Sequence, residues 1–283
     1  MMRKPEQTLH DLLVEYQPRA VVSTYPLYPY FLERIFKRGV TKVPVFTVVT
    51  DSIEINAAWR KAPTDYWLVT DEHTRNSLIQ QGLPETSVVE TGFPVNPHFS
   101  DLSPVTPEDS LDPFRILYFP TAKKPHVRRI AREILGSTPN NVQLTIVLGR
   151  NVRKLYRRAQ EIKNAYPGRV SIKGWSKRVP ELLTSHHLVV GKAGGATVHE
   201  SLAAACPMLI HHLVPGQEEG NLNLLRKLNG GTLADSPGEL ATHIREMLAD
   251  NAHGWRAMKR SLTRVARPGA AHTAANFIID HLD

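Results

Sequence analysis

Residues 191–221 read GKAGGATVHESLAAACPMLIHHLVPGQEEGN, and this stretch decides the fold. An apolar run, Leu188-Val189-Val190, ends at Gly191 and gives way to a loop that contains Gly194 and Gly195. Thr197 followed three residues later by Glu200 has the spacing of a capping box. It predicts a helix through Ser201 to Ala205 that stops before Pro207. A short apolar strand, Met208 to Ile210, comes next, and then a polar loop, Pro215 to Asn221. Strand, glycine loop and helix N-terminus together are how a parallel α/β sheet builds an anion site. Bare N–H groups and the positive end of the helix dipole face the loop, and glycine lets a phosphate reach the backbone. A glycine loop also makes ordinary turns, and a capping box needs no ligand. The second polar cluster, one βα unit later, adds the information. Ligands of open α/β sheets lie at the carboxyl ends of the strands, so two such loops side by side would hold a diphosphate and a group attached to it.

Upstream, strands alternate with helices. Apolar runs at Ala20–Tyr25, Val43–Thr50, Tyr66–Thr70 and Val88–Thr91 read as strands. Segments 6–16, 31–38 and 72–81 between them read as helices, with a loop or short helix over 51–59. That alternation implies βα units and a parallel sheet. Residues 100–113, SDLSPVTPEDSLDP, hold three prolines and four acids without apolar periodicity and read as a linker. Beyond it, strands are expected at 114–119, 144–148 and 170–172, and helices at 237–249, 255–265 and 271–282. The expected layout is an N-terminal domain over 1–99, the linker 100–113, a C-terminal domain over 114–265 and a last helix within 266–283 that packs back on the first domain.

Composition narrows the function. The 283 residues suffice for one large domain or two small ones, and apolar content is 41%. No run approaches the ~20 apolar residues of a membrane span. Met1–Lys4 lacks an apolar stretch behind it and does not read as a signal peptide. The single cysteine, Cys206, excludes an internal disulfide and fits a reducing compartment. The formal net charge of +8 points to an anionic partner: lipid, nucleic acid or an acidic small molecule. No helix-turn-helix, zinc-ligand or aromatic RNA-binding signature is present, so nucleic acid is not expected. Arg150, Arg153, Lys154, Arg157 and Arg158 recur at helical spacing opposite Val152, Leu155, Tyr156 and Ala159. Such a stripe is either a solvated face or an attraction to anionic headgroups. His186, His187, His211 and His212 have no carboxylate or cysteine at ligand spacing, so no metal site is read.

KAGGATVHE followed by a strand and PGQEEGN resembles the nucleotide-sugar motif of the glycosyltransferases that include MurG, processive diacylglycerol glucosyltransferases and monogalactosyldiacylglycerol synthases. The resemblance implies a GT-B-type α/β fold, two facing Rossmann-like parallel-sheet domains. It implies that Gly191, Lys192, Ala193, Gly194, Gly195, Ala196 and Thr197 hold the UDP phosphates and that Glu200 takes the ribose hydroxyls. Gln217, Glu218 and Asn221 would contact the donor sugar. Gly174-Trp175 stands where relatives read the uracil ring; Trp175 would pack over the base or plug the core. Relatives carry a glycine-rich loop where this chain has Pro120-Thr121-Ala122-Lys123-Lys124, so Lys123 or Lys124 would supply charge there or be a solvated turn.

The segment VVTD…W…DYWLVTDEHTRNSLIQQGLPETSVVETGFPVNPHF resembles the second half of the family's acceptor-binding domain. The family's usual histidine three residues before the Trp is Asn56 here, which hydrogen-bonds but does not titrate. Nothing in Met1–Tyr25 matches the family's upstream glycine-rich loop and proposed general base, so the N-terminal domain reads as incomplete. Asp51 and Asp71, at strand ends, are the remaining acids; either is a site residue or a turn former and helix cap. The expected activity is transfer of a hexose or N-acetylhexosamine from a UDP-sugar to a lipid such as diacylglycerol. No cofactor or metal is implied, and the location would be cytoplasmic, at the inner face of the membrane. The alternatives are a UDP-sugar-binding subunit completed by a second chain, as in the split dolichol-linked GlcNAc transferase, and a UDP-sugar epimerase.

Overall fold

The structure, a computed structural model, describes residues 4–121, 126–216 and 218–282, without the side chain of His126. It divides into two compact units, Met1–Pro94 with Gly269–Asp283, and Val95–Pro268. Elements of the first run α1 (Lys4–Tyr16), β1 (Val21–Ser23), α2 (Tyr28–Phe36), β2 (Val45–Val48), α3 (Ala57–Arg60), β3 (Tyr66–Val69), α4 (Glu72–Gln80) and β4 (Val88–Glu90). The second unit begins with β5 (Phe114–Tyr118), α5 (His126–Ser137), β6 (Val142–Val147), α6 (Val152–Ala165), β7 (Val170–Lys173) and α7 (Val179–Ser185). It continues with β8 (Leu188–Lys192), α8 (Gly195–Ala203), β9 (Met208–His212), α9 (Glu219–Lys227), β10 (Gly231–Leu233) and α10 (Pro237–Val265). Helix α11 (Ala270–Ile279) returns to the first unit.

In the first unit four strands pair in parallel in the order β1-β2-β3-β4. Every residue of β2 is buried, which is why it reads as an apolar run interrupted only by Thr47. Val45 faces Leu13, Leu32 and Ile35 of α1 and α2, while Trp67, Val69 and Val88 meet Trp59 and Leu78 of α3 and α4. Phe46, Val48 and Leu68 face the other way, onto Ala274 and Phe277 of α11. Right-handed crossovers that all step the same way along a sheet place their helices on one face, and here α1 to α4 share one face and α11 covers the other.

The second sheet is also all parallel, in the order β10-β9-β8-β5-β6-β7. The chain builds outward from β5 to β7, then returns to β5 and builds the other way from β8 to β10. The order therefore reverses between β5 and β8, the place where doubly wound sheets open a crevice at their carboxyl ends. Residues 100–113 are packed with this unit: Val105 joins its core and donates its N–H to Thr184 O at 2.9 Å. The expected helices 237–249 and 255–265 are one element broken by non-helical residues from Ala249 to Ala252. Strand β10 and helices α5 and α7 have no counterpart in the sequence reading. Tyr156, expected on the buried face of the basic helix, is half exposed, whereas Leu155 and Ala159 are buried. Among the described residues, no helix is long and apolar enough to cross a membrane.

Two adjacent histidines tie the core together. His186 contacts Leu182 O through Nδ1 at 2.6 Å and Thr145 Oγ1 through Nε2 at 2.9 Å. His187 Nδ1 accepts the Arg115 N–H at 2.9 Å, its ring stacks on Phe114 at 4.9 Å, and its carbonyl accepts the Trp255 indole N–H at 2.6 Å. Burial pushes both imidazoles down to about 4. Their folded-state values lie below the ordinary 6.5, so the unfolded chain takes up protons first and stability is lost as pH falls from 6.5 towards 4. From pH 7 to 5 the expected loss is on the order of 2 kcal/mol per ring. Urea unfolding across that range checks it: His187→Gln should flatten the pH dependence whatever its stability at pH 7.

Candidate functional site

Strand β8 runs further than its apolar residues suggested, so Gly191 and Lys192 lie on the strand and only Ala193 and Gly194 form the turn. The ladder continues because β9 also extends, to His212, with a register shift: Gly191 pairs with Ile210 but Lys192 with His212. The extra residue, His211, packs edge-on against Tyr118 at 5.4 Å. A bulge of this kind re-aims the side chains beyond it. A Cβ at Gly191 would stand 3.3 Å from Met208 Cε and 3.8 Å from Thr197 Cγ2, so a larger residue there would push the Met208 methyl aside.

Helix α8 starts at Gly195 with Gly194 as its N-cap, and the cap makes no side-chain hydrogen bond. The capping box is therefore corrected. Thr197 already lies in the first turn and Glu200 well inside the helix, so neither can cap it. Gly194 takes the cap with an extended backbone (ψ 137°), which leaves the first-turn N–H groups of Gly195, Ala196 and Thr197 without the side-chain acceptor that a Ser or Asp would bring. Glu200 is half-buried, and burial pushes its carboxyl up to about 7. Among the described residues its carboxylate has no hydrogen-bond or ion-pair partner.

The polar loop after β9 also ends earlier than expected. Glu218 is the N-cap of α9, so Asn221 sits in the first turn of a helix rather than in a loop. Asn221 Nδ2 donates to Ala193 O at 3.0 Å, tying α9 to the β8–α8 turn, and its Oδ1 is buried without a partner. Glu218, 5% exposed, uses one carboxylate oxygen on Lys192 Nζ at 2.6 Å and the other on the Val214 N–H at 2.9 Å. Lys192, Ala193, Gly194, Glu218 and Asn221 are thus one connected cluster, with the first turns of α8 and α9 side by side at the carboxyl ends of β8 and β9. Lys123, Lys124 and Gln217 lie outside the described residues. Gly174 and Trp175 follow β7, three strands from β8 and so roughly 14 Å across the sheet. Trp175 is exposed, with Lys177 Nζ 6.0 Å from its ring centre, so it plugs no core.

In the first unit the expected acids serve local structure. Asp71 caps α4, with Oδ1 accepting from the Thr74 N–H and Oδ2 from the Thr70 and Thr74 hydroxyls. Asp51 Oδ2 accepts the Trp59 indole N–H at 2.7 Å. Asn56 caps α3 through the Ala58 N–H. Of the four histidines named above, His186 and His187 are buried, His211 is partly buried and His212 is exposed, and among the described residues no group of three His, Cys, Asp or Glu side chains could hold a metal ion.

The doubly wound second sheet brings the start of α8 to its switch point, with the start of α9 one strand away, and two parallel-sheet units give the chain the GT-B type of fold. The family model for monogalactosyldiacylglycerol (MGDG) synthase matches residues 3–95. The chain is 25% identical over 248 residues to the processive diacylglycerol beta-glucosyltransferase of Bacillus subtilis (strain 168), covering 86% of this chain and 64% of that protein. It is 27% identical over 276 residues to the probable monogalactosyldiacylglycerol synthase, chloroplastic, of Glycine max, covering 91% of this chain and 51% of that protein. Among solved structures, Acinetobacter baumannii MurG aligns with a TM-score of 0.70 at 14% identity, over 97% of this chain and 77% of that one. UDP-GlcNAc 2-epimerase from Neisseria meningitidis bound to UDP-GlcNAc gives 0.68 at 13%, over 98% and 80%. The chain is thus similar in sequence to the MGDG synthase-type glycosyltransferases and shares the fold of MurG; it spans less than two thirds of the length of these two sequence relatives.

The raised Glu200 carboxyl gives a pH signature. A ligand whose hydroxyls need the carboxylate form must first displace the proton. With UDP as the probe, affinity by calorimetry should fall about tenfold from pH 8 to pH 6 in addition to any titration of UDP itself. Glu200→Gln should bind more weakly at pH 8 and lose that added dependence, with its melting temperature at pH 6 close to that of the unmodified chain.

Proposed function

We propose that the second unit binds a UDP-sugar and that the protein takes part in transferring its hexose or N-acetylhexosamine to a lipid acceptor such as diacylglycerol. The observation that carries this reading is the meeting of the α8 and α9 first turns with the Glu200 carboxylate, which has no partner among the described residues. The N–H groups of Gly195, Ala196 and Thr197 suit a diphosphate, whose charge grows as it leaves. Glu200, one turn further along α8, suits the paired hydroxyls of a ribose, which both carboxylate oxygens accept. Asn221 keeps a buried acceptor free for a sugar hydroxyl, and Gln217 and Lys123 belong to the same reading by resemblance. Gly174 and Trp175, at the far end of the sheet, would meet the uracil. The two sequence relatives, whose names specify glycosyl transfer to diacylglycerol, support the lipid acceptor; the fold neighbour bound to UDP-GlcNAc supports the donor.

Transfer also needs a base for the acceptor hydroxyl. Asp71 has both oxygens engaged, which leaves Asp51, with one oxygen given to Trp59, as the better placed acid of the two. The same observation supports the half-enzyme reading: the proposed donor site lies in the second unit, and the acids of the first unit serve its own turns. Purified 1–283 is expected to bind UDP while transferring sugar to diacylglycerol slowly or not at all. Robust turnover abolished by Asp51→Asn would instead make Asp51 the base.

The membrane would be met through the basic helices. Arg150, Arg153, Lys154 and Arg157 are exposed around α6, and Arg128, Arg129 and Arg132 on the neighbouring α5 add to that surface. Glu161 takes part of the charge, from Arg128 at 2.7 Å and Arg157 at 3.7 Å. Near an anionic surface each remaining cation is worth about 1 kcal/mol. Arg153→Glu with Lys154→Glu should release the protein from anionic liposomes in a low-salt sedimentation assay and leave UDP affinity unchanged. Wild-type protein that stays in the supernatant would return these residues to a solvated face.

A further inference from the structure

Helix α10 is broken where it passes the edge of the second sheet. Asp250, Asn251 and Ala252 follow one another at φ 50°, 57° and 57°. Residues with side chains seldom enter that left-handed region, and three in succession, the last an alanine, store backbone strain. Strain of this kind points to a constraint beyond packing. Gly254 lets the second half of the helix lie close on the first, since a Cβ there would stand 3.3 Å from Met247 Cα. Beside the break a cleft of about 400 Å³ opens between α10, the carboxyl end of α9 and the start of β10. That volume falls in the range of small-molecule sites.

The cleft is apolar within and unevenly charged at its rim. Leu209 of β9 and Met247 and Met258 of α10 line it, and methionine thioethers adapt to varied apolar partners. At the rim His243 Nδ1 lies 3.5 Å from Glu246 Oε2, so these two face each other. Arg226, in the last turn of α9, is exposed and has no hydrogen-bond or ion-pair partner among the described residues. Its place suits the dipole of α9 and leaves its forked donors unused. The sheet adds a further donor. Strand β10 is an edge strand in which Gly230 O accepts from Met208 and Ala234 donates to Ile210 O. Alternate residues of a parallel ladder address opposite sides, which turns the N–H of Gly231 outward, and Gly231 lines the cleft.

We propose that this cleft binds a free single-chain carboxylate, its anionic head on Arg226 and the Gly231 N–H and its apolar body on Leu209, Met247 and Met258. Charge complementarity fixes the head, because a guanidinium fork matches a carboxylate through two parallel hydrogen bonds. A neutral occupant would leave that guanidinium without a partner, and a small inorganic anion would leave the thioethers uncovered. A bilayer does not fit the place. The basic helix α6 packs beside β7, at the opposite edge of the sheet from β10. The cleft is also distinct from the donor cluster: it meets the amino end of β9 and the carboxyl end of α9, whereas the cluster takes the other end of each. The proposal therefore stands apart from the UDP-sugar reading.

Octanoate is the probe, titrated into the 283-residue chain carrying carbon-13 in its methionine methyl groups. The chain has five methionines, Met1, Met2, Met208, Met247 and Met258, so two of the signals report from the cleft itself. Octanoate should shift the Met247 and Met258 methyl signals in a saturable titration. Octanol should bind about tenfold more weakly, and acetate should leave both signals in place. Arg226→Gln should weaken octanoate binding about tenfold and leave octanol binding unchanged. Arg226 is exposed and outside the donor cluster, so the variant should keep the melting temperature and UDP affinity of the unmodified chain. Five results would each overturn the proposal: no shift with octanoate, equal binding of octanoate and octanol, acetate as effective as octanoate, binding indifferent to Arg226→Gln, or shifts produced only by phosphatidylglycerol vesicles. UDP titration of the same samples keeps the two readings separate, since failure of either leaves the other ligand's binding intact.

Discussion

Helix α8 is short, nine residues, and the second unit holds it at both ends by unlike means. At its carboxyl end the buried ammonium of Lys259 donates to Ala204 O at 3.3 Å and Ala205 O at 2.6 Å. A cation there complements the helix dipole and satisfies carbonyls that the helix leaves bare. Burial pulls the Lys259 ammonium below its ordinary value, so the charge is held against a desolvation cost that those carbonyls offset. At the amino end, among the described residues, no side chain caps the opposite pole. A helix fixed by charge at one end and open at the other presents its N–H groups in a rigid position, which is what binding an anion without reorganisation requires.

Glu200 adds a cost of its own. Its carboxyl is raised from 4.5 to about 7, so above pH 7 the folded state holds a desolvated anion at a cost of roughly 3 kcal/mol. Stability contributed elsewhere, by Trp255, Phe114 and the histidine pair beneath the sheet, carries that cost. Such an arrangement is expected where a ligand supplies the missing hydrogen bonds. The first unit shows the contrary pattern. Asp71, Asn56 and Asp51 meet nearby N–H or O–H donors.

Legibility in the sequence followed burial. Strands β2, β3, β5 and β8 are buried on both faces, and each reads as an apolar run whose ends fall within a few residues of the observed ones. Strand β10 was invisible because it is a three-residue edge strand, none of it fully buried, opening on a glycine. Helix α5 carries Arg128, Arg129 and Arg132 among its apolar positions, which interrupts the apolar pattern along the sequence. The chemistry of the site was legible as residue types, but its geometry was not. Thr197 and Glu200 match the capping-box spacing, yet Gly194 starts the helix three residues earlier, while a register shift opposite His211 carries β8 on to Lys192, so the loop between them shrinks to Ala193 and Gly194. No local pattern reports a ladder made with residues twenty positions away. The pairing of Lys192 with Glu218 was hidden for the same reason.

That pairing settles how charge is divided at the site. Lys192 is the cation nearest the glycine turn in sequence, and the resemblance makes it a phosphate ligand, yet its ammonium lies 2.6 Å from a carboxylate that is 5% exposed. Taking Lys192 away would strand Glu218 as a buried anion beside the place where a diphosphate would bind, which costs more than the ion pair itself contributes. The pair therefore neutralises Glu218 first, and Glu218 in turn fixes the Val214 turn through its second oxygen. A bound diphosphate would then rely mainly on the N–H groups and dipole of α8, with Lys192 adding a field already partly cancelled by Glu218. Backbone donors cannot be moved by rotamer changes as a lysine can. A site that relies on them gains fixed geometry from the same α8 placement that Lys259 secures at the opposite end.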